Sequence, residues 1–381
     1  MESNAAANIE KHFGGLKDPR VERTKEHKLL DILVIAICAI LCGVNDWEAI
    51  AEYGRDNQAW FQTFLTLPNG IASHDTFWRV FGALEPEQFQ NCFVAWIQAV
   101  SQVTAGEVIA IDGKFVRGSH DKGIGRKAID MVSAWASSNR LVLGQRKVDD
   151  KSNEITAIPV LLRTLMIRGC IVTIDAMGCQ SEIAATIVEQ GADYILQLKE
   201  NQALLYADTH LLFTDLEQSG FTAYPYDTHK TVEKDHGRIE IRQAWTISDP
   251  ELLSHLRNAD RFKNLQTVMK VGHERRLDNT VTLEVHYYIS SLATTATRLL
   301  AAKRAHWQIE NSLHWVLDIA FREDDSRLHK GNGAHNFAIL RHIALNALKQ
   351  ETSVKLGLYT KRLKAAWNHN YLLKVLATLF N

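Results

Sequence analysis

Three acidic side chains stand out by the residues around them. Residues 107–112 (EVIAID) are mostly apolar and β-branched until Asp112, and residues 170–175 (CIVTID) are apolar until Asp175. Small or glycine-containing sequence follows each at once, GK after the first and AMG after the second. Short β-branched runs read as buried strands. In an open α/β sheet, ligands sit beyond the carboxyl ends of the strands, where an aspartate projects toward them. One such aspartate is commonly a turn former; two ending similar strands form a more specific signal.

The third acid is Glu310, inside HWQIENSLHWVLDIAF (306–321). At about 100° per residue, His306, Glu310, His314 and Asp318 share one polar stripe, and Ile309, Leu313, Val316 and Ala320 lie on another face. This predicts a helix that docks through its apolar side and aims Glu310 at the rim of the sheet. The plainer alternative is an amphipathic helix carrying a solvated charge.

Asp112, Asp175 and Glu310 together offer hard oxygen donors, which suit Mg²⁺ or Mn²⁺. Two such ions about 3.5–4 Å apart activate a water or hydroxyl and stabilise the leaving oxygen in phosphoryl transfer. Lys114 and Arg117 follow Asp112 closely enough to meet the phosphates, a solvated basic face being the even alternative. Zinc hydrolysis fits poorly. His306 and His314 are eight residues apart, about 12 Å along a regular helix, whereas zincins place them at i and i+4. Both are expected to make local hydrogen bonds or to contact DNA. No P-loop, Gly-x-Ser-x-Gly or Gly-x-Gly-x-x-Gly motif is present.

The elements that must position these groups follow from pattern. The 381 residues suffice for two or three folding units, and 46% hydrophobic with 23% charged residues is ordinary for a globular chain. Residues 1–28 are polar and are expected to form a loose arm. Residues 29–100 read as short helices, with Ser73 a candidate N-cap. They would form a small packing domain or, alternatively, a helix-turn-helix DNA reader. From 105 to 200 the order is strand, strand, strand, helix, strand, helix, strand, which predicts an α/β sheet with an antiparallel hairpin (130–137 and 140–148) near one edge. Pro159 is placed in the first turn of a helix over 158–169, and Gly191 ends a helix over 181–191. Residues 201–216 read as helix and 222–290 as β-rich. Helices return over about 296–318, 333–350 and 360–379.

The net charge of −1 does not announce a nucleic-acid binder, but the charge is uneven. Lys114, Arg117, Lys122, Arg126 and Lys127 form one basic cluster. Lys355, Lys361, Arg362, Lys364 and Lys374 form another in a stretch with no acid after Glu351. The five cysteines, Cys38, Cys42, Cys92, Cys170 and Cys179, show no zinc spacing and read as buried thiols. The longest apolar run, 32–44, is shorter than the ~20 residues of a membrane span. A cytoplasmic protein with no membrane partner is expected.

The blocks VIAIDGKFVRGS, KSNEITAIP, VTIDAMGCQ, DYILQLKENQ, DHGRIEIR and HWQIENSLHWVLDIAFREDDSR, with FGGLKDPRVERTKEHKLLDILVIAICAIL near the start, resemble the H-repeat-associated proteins. These are DDE-type insertion-sequence transposases. The resemblance covers nearly the whole chain. It implies an RNase H-like mixed sheet with flanking helices, a β-rich insertion and a helical N-terminal domain associated with DNA binding. It also implies Asp112, Asp175 and Glu310 as both catalytic triad and metal ligands, two Mg²⁺ or Mn²⁺ ions, and strand cleavage and transfer at element ends. The boundaries expected are an arm over 1–28, helices over 29–100, catalytic core over 105–200 and 293–350, insertion over 201–292 and a basic C-terminal helix over 351–381. Double-stranded DNA is the expected partner, and synapsis of two ends implies a homodimer or larger. The alternatives are an inactive DNA-binding relic and a metal-dependent nuclease without strand transfer.

One motif departs from the wider group. Many insertion-sequence transposases carry Tyr-x2-Arg-x3-Glu-x6-Lys around the last acid. Here Lys303, His306, Glu310 and Leu317 stand in those places, so only the glutamate matches. His306 is therefore expected to take the arginine's phosphate contact. Trp307 is expected to stack on an exposed base or, equally, to pack in a core. The usual lysine contact has no residue assigned.

Overall fold

Alternation along two short strands decides which way the candidate acids point. The structure, a computed structural model, describes residues 10–101, 103–120, 128–149, 152–235, 237–277 and 280–379. Its strands are β1 (Val108–Val116), β2 (Ile129–Ala136), β3 (Leu141–Lys147), β4 (Ile171–Ile174), β5 (Asp193–Leu198), β6 (Asp227–Asp235), β7 (Arg238–Ile247), β8 (Thr267–Leu277) and β9 (Thr280–Ser290). They form one nine-stranded mixed sheet in the order β3-β2-β1-β4-β5-β9-β8-β7-β6. β1, β4 and β5 run parallel, β2 and β3 make the expected antiparallel hairpin at one edge, and β9 pairs antiparallel with β5. The β-rich segment thus continues the same sheet.

Helices flank the sheet: α1 (Leu29–Leu41), α2 (Trp47–Asp56), α3 (His74–Ala83), α4 (Pro86–Val100), α5 (Glu154–Thr164), α6 (Ser181–Glu189), α7 (Ala203–Gln218), α8 (Ala296–His306), α9 (Trp315–Phe321), α10 (Gly333–Gln350), α11 (Leu358–Trp367) and α12 (His369–Ala377). Successive strand residues face opposite sides. Ile171 and Ile195 pack with Leu299 and Leu300 of α8, whereas Val172 and Leu196 join the core that holds Ile158, Leu161 and Ile183 of α5 and α6. The parallel strands are buried on both faces, which is why they read as unbroken apolar runs.

Several boundaries differ from the sequence expectation. β1 does not end at Asp112. Its parallel pairing with β4 stops at Ile111 and Ile174, but pairing with β2 keeps it extended to Val116. α5 begins at Glu154, so Pro159 lies inside the helix rather than in its first turn. The helix expected over 296–318 is interrupted by a single π turn at Glu310–His314, and the one expected over 360–379 breaks at Asn368, whose side chain caps α12. Ser73 does cap α3, accepting from the Thr76 N–H, and Gly191 adopts the left-handed conformation (φ 74°) after α6. Within the segment expected to be an arm, Phe13 and Leu16 are buried, Phe13 edge-on to Phe89, while Lys11, Gly14, Gly15 and Lys17 beside them are exposed. Residues 1–9 lie outside the described residues.

The N-terminal helices share a core with the C-terminal ones. α1 is buried from Asp31 to Leu41 and packs against α10. Asn346 of α10 reaches the edge strand β3, accepting from the Val142 N–H at 3.0 Å and donating to its carbonyl at 2.9 Å. An edge strand left with unpaired backbone groups is thereby satisfied from a helix. The C-terminal basic cluster is partly internal. Arg362 is buried and donates to the carbonyls of Ile40 and Ala320, at or near the ends of α1 and α9, while Lys361 is buried and donates to Leu348 and Glu351 carbonyls of the α10 end. Cations complement helix C-termini, so these two serve the fold rather than a basic face. No described helix is long and apolar enough to cross a membrane.

Candidate active site

Thr173 on β4 faces α8, and its hydroxyl bonds His306 Nδ1 at 3.0 Å. Ala110 is its register partner on β1, so Ala110, Asp112 and Lys114 share that face. Asp112 and Asp175 each follow the last register pair of β1 and β4, which places them side by side on strands about 4.8 Å apart. The helical run from α8 through the π turn brings Glu310 onto the same spot. Oxygens of Asp112 and Glu310 and a nitrogen of His314 lie within 4.8 Å of one another.

The three carboxylates differ in setting. Asp112 is 18% exposed at its side chain and accepts from the Gly113 N–H at 3.0 Å. Burial, then the negative charges of Glu310 and Asp175, push its carboxyl well above the usual carboxylate range. Glu310 is about half exposed and moves the other way, held down first by His314. The two neighbouring carboxyls are thus shifted in opposite directions. Asp175 also serves as a turn former: its Oδ1 accepts from the Met177 and Gly178 N–H groups at 3.1 and 3.3 Å. Asn201 and Gln202 brace that loop by donating to the carbonyls of Ala176 and Cys179. Sequence reasoning missed these braces, which the KENQ block carried without a stated role.

Lys114 does not face open solvent. Strand alternation sends it under the turn after α9, where Asp318, Glu323 and Asp324 hold its ammonium at 2.7, 3.3 and 3.2 Å. Burial works against its charge, but those three carboxylates outweigh it and raise its pKa. Arg341, fully buried on α10, adds a second cation beside Glu323 at 3.6 Å. The spacing to Asp112 predicted a phosphate contact for Lys114; the structure gives it internal partners. Arg117 is 83% exposed at its side chain and touches Asp324 at 3.5 Å. It lines a shallow cavity with His120, Arg322 and Arg327, two arginines that sequence reading did not single out. Lys122, Arg126 and Lys127 lie outside the described residues.

His306 is half-buried, and burial lowers its pKa. Trp307 is 66% exposed, so its ring is outside the core. Leu317 is buried among apolar side chains and cannot supply the contact of the lysine found there in the wider group. Two further residues belong to the site. His314 is buried beside Asp112 and Glu310, at 3.5 and 3.6 Å. Glu154, the first residue of α5, lies against Gly113 so closely that a Cβ there would sit 2.2 Å from its carboxylate. Burial, then Asp130 and Asp175, raise the Glu154 carboxyl to about 7. Sequence gave no periodic cue for Glu154; its signal was the adjacency of a helix start to a strand glycine, visible only in three dimensions.

Residues 104–347 match the family described as Transposase DDE domain, and residues 10–97 match the family described as DDE_Tnp_1-associated. The chain belongs to the DDE transposases, in the H-repeat-associated group. It is 40% identical over 370 residues to the Escherichia coli protein named "H repeat-associated putative transposase YhhI", covering 96% of this chain and 97% of that one. It is 39% identical over 365 residues to another Escherichia coli protein, "Putative transposase YncI", covering 95% and 93% of the two chains. A piggyBac transposase synaptic complex with hairpin DNA aligns with 99% of this chain and 78% of its own, at 11% identity and a TM-score of 0.43. In this transposase family member, three acids from separate elements meet at one end of the parallel strands.

Proposed function

We propose that the protein cleaves DNA at the ends of its insertion element and transfers the freed strands, with Asp112, Asp175 and Glu310 as the metal-holding triad. The observation that carries this reading is that Asp112 and Asp175 follow the last register pair of β1 and β4 while Glu310 comes within 4.8 Å of Asp112, a partly buried set of acids. The donor set fits Mg²⁺ or Mn²⁺: it is oxygen-rich, and a divalent ion would offset the burial and the neighbouring carboxylates that raise the Asp112 pKa. Two such ions would supply polarisation of the phosphate and activation of the attacking water or hydroxyl. Asp112, Asp175 and Glu310 would be the residues to hold them.

The five strands β1 to β5, in the order 3-2-1-4-5, support an RNase H-like core over 105–200 completed by helices over 293–350. The segment 201–292 is then an insertion that lengthens the sheet, 29–100 a helical domain bearing on DNA ends, and 351–381 a C-terminal helical closure. Arg117, with Arg322 and Arg327 across the shallow cavity, contacts backbone phosphates of double-stranded DNA. His306, placed beside Asp175's strand, meets the scissile region, and Trp307 offers an exposed ring for an unpaired base. Two copies act together to hold two ends, in the cytoplasm.

The test is direct. Purified protein is incubated with labelled DNA carrying the flanking element ends and Mg²⁺ or Mn²⁺, and a denaturing gel reads nicks. Metal-dependent nicks at a fixed position, lost in Asp112→Asn, are expected. Binding without cleavage under either metal contradicts the reading and leaves a DNA-binding relic.

A further inference from the structure

We propose that His314 is itself a metal ligand, so that the Asp112–Glu310 side of the site is a mixed nitrogen–oxygen centre that prefers Mn²⁺ to Mg²⁺. The inference rests on the metal-dependent reading above and goes beyond its three carboxylates.

The placement of His314 has three parts. Its side chain is 7% exposed, yet Nδ1 points at the site, 3.5 Å from Asp112 Oδ2 and 3.6 Å from Glu310 Oε2. Both distances exceed an ordinary hydrogen bond of about 2.9 Å, so the imidazole faces the two acids without closing on either. Its other nitrogen, Nε2, is buried with no hydrogen-bond partner among the described residues. A buried imidazole whose Nδ1 stops short of two carboxylates has no partner on that side unless something sits between them.

An ion accounts for the gap. Neighbouring donors around an octahedral ion with bonds of about 2.1 Å are about 3 Å apart. The present separations need to contract by only about half an ångström to enclose one. The π turn explains how the helix manages this. The π turn spans Glu310–His314, and from it both side chains come within 4.8 Å of an Asp112 oxygen. π turns are rare and recur at functional sites. His306 has no such geometry, since its Nδ1 is taken by Thr173.

Nitrogen changes the chemistry. Carboxylate and water suffice for Mg²⁺, which dehydrates reluctantly and keeps oxygen ligands; imidazole suits softer divalent ions. Replacing His314 should therefore weaken Mn²⁺ far more than Mg²⁺.

The experiment uses the full chain with Mn²⁺ alone as probe. Pulsed electron paramagnetic resonance is recorded on Mn²⁺ bound to protein grown with ¹⁵N-histidine or ordinary histidine, beside calorimetric Mn²⁺ and Mg²⁺ titrations. The expected result is an isotope-shifted nitrogen coupling from a bound imidazole in the native chain. In His314→Gln it is lost and the Mn²⁺ dissociation constant rises by at least about tenfold, while Mg²⁺ binding changes much less. In His306→Gln the coupling remains. Mn²⁺ bound with no imidazole coupling in the native chain overturns the assignment of His314 and leaves the carboxylate reading intact, and it needs no variant to fold. Absence of any Mn²⁺ binding overturns both. A coupling that survives in folded His314→Gln assigns it to another histidine and also overturns the proposal.

Discussion

Asp112 and Lys114 sit two residues apart on one face of β1, and each is the floor of an acidic cluster. Around Lys114, Asp318, Glu323 and Asp324 converge on a cation that the chain supplies, and Arg341 adds another. Around Asp112, Glu310 and Asp175 converge with no lysine or arginine in ion-pair reach among the described residues, only His314. The first cluster is neutralised from within and fastens β1 to the turn after α9. The second has no such cation, and burial, then the neighbouring carboxylates, raise the Asp112 pKa. On the proposed function, the second cluster is the one open to a cation from outside.

The contrast predicts opposite outcomes for the two floors. Asp112→Asn should lower end cleavage by about 10²–10³-fold or more while leaving stability unchanged or higher, because a neutral amide replaces a carboxyl whose ionised form is disfavoured by burial and by neighbouring carboxylates; the cleavage gel and a denaturant titration read the two together. Lys114→Met should do the reverse first. It leaves three carboxylates without their cation and should cost about 3–5 kcal/mol of unfolding free energy, with loss of activity following from loss of fold. If Lys114→Met were stable and Asp112→Asn unstable, the two roles would be exchanged.

His342 lies behind both clusters, fully buried, and burial first, then His314 and Arg341, hold its pKa near 3 against an ordinary 6.5. The unfolded chain takes up a proton below pH 6.5 that the folded chain refuses until about pH 3. Stability should therefore be full above pH 6.5 and fall through that window, by on the order of 4 kcal/mol at its acid end. Urea titrations at several pH values should show this slope, and His342→Gln should flatten it. The smallest effect concerns the rim. Trp307→Ala should weaken binding of DNA with unpaired end bases by about 1–3 kcal/mol and leave fully paired duplex binding nearly unchanged; equal affinity for both in a gel shift removes the stacking role.

The succession of elements through β5 and the aspartates that follow two apolar runs could be read from the chain because buried parallel strands leave unbroken apolar runs. Glu310 could be found because a lone acid in an apolar helical stretch is conspicuous. What could not be read depends on three-dimensional neighbours. Lys114 has the spacing of a phosphate ligand, and only the approach of the 323–325 turn from far along the chain makes it internal. Arg362 looks like surface charge until two helix carbonyls meet it. A regular 100° wheel put His314 on a stripe beside Glu310; the structure has a π turn there, which no local propensity announces, and brings both within 4.8 Å of an Asp112 oxygen. The β-rich stretch was visible as strands, but its continuation of the main sheet rests on the β5–β9 pairing.

The central claim is that the Asp112 cluster awaits a divalent cation whereas the Lys114 cluster does not. Calorimetric titration of Mn²⁺ into the full chain and into Asp112→Asn tests it most directly. Saturable binding in the native chain that disappears in the variant is the predicted result. No binding in the native chain, or equal binding in both, would contradict it and return Asp112, Asp175 and Glu310 to the status of unneutralised charges at the end of a sheet.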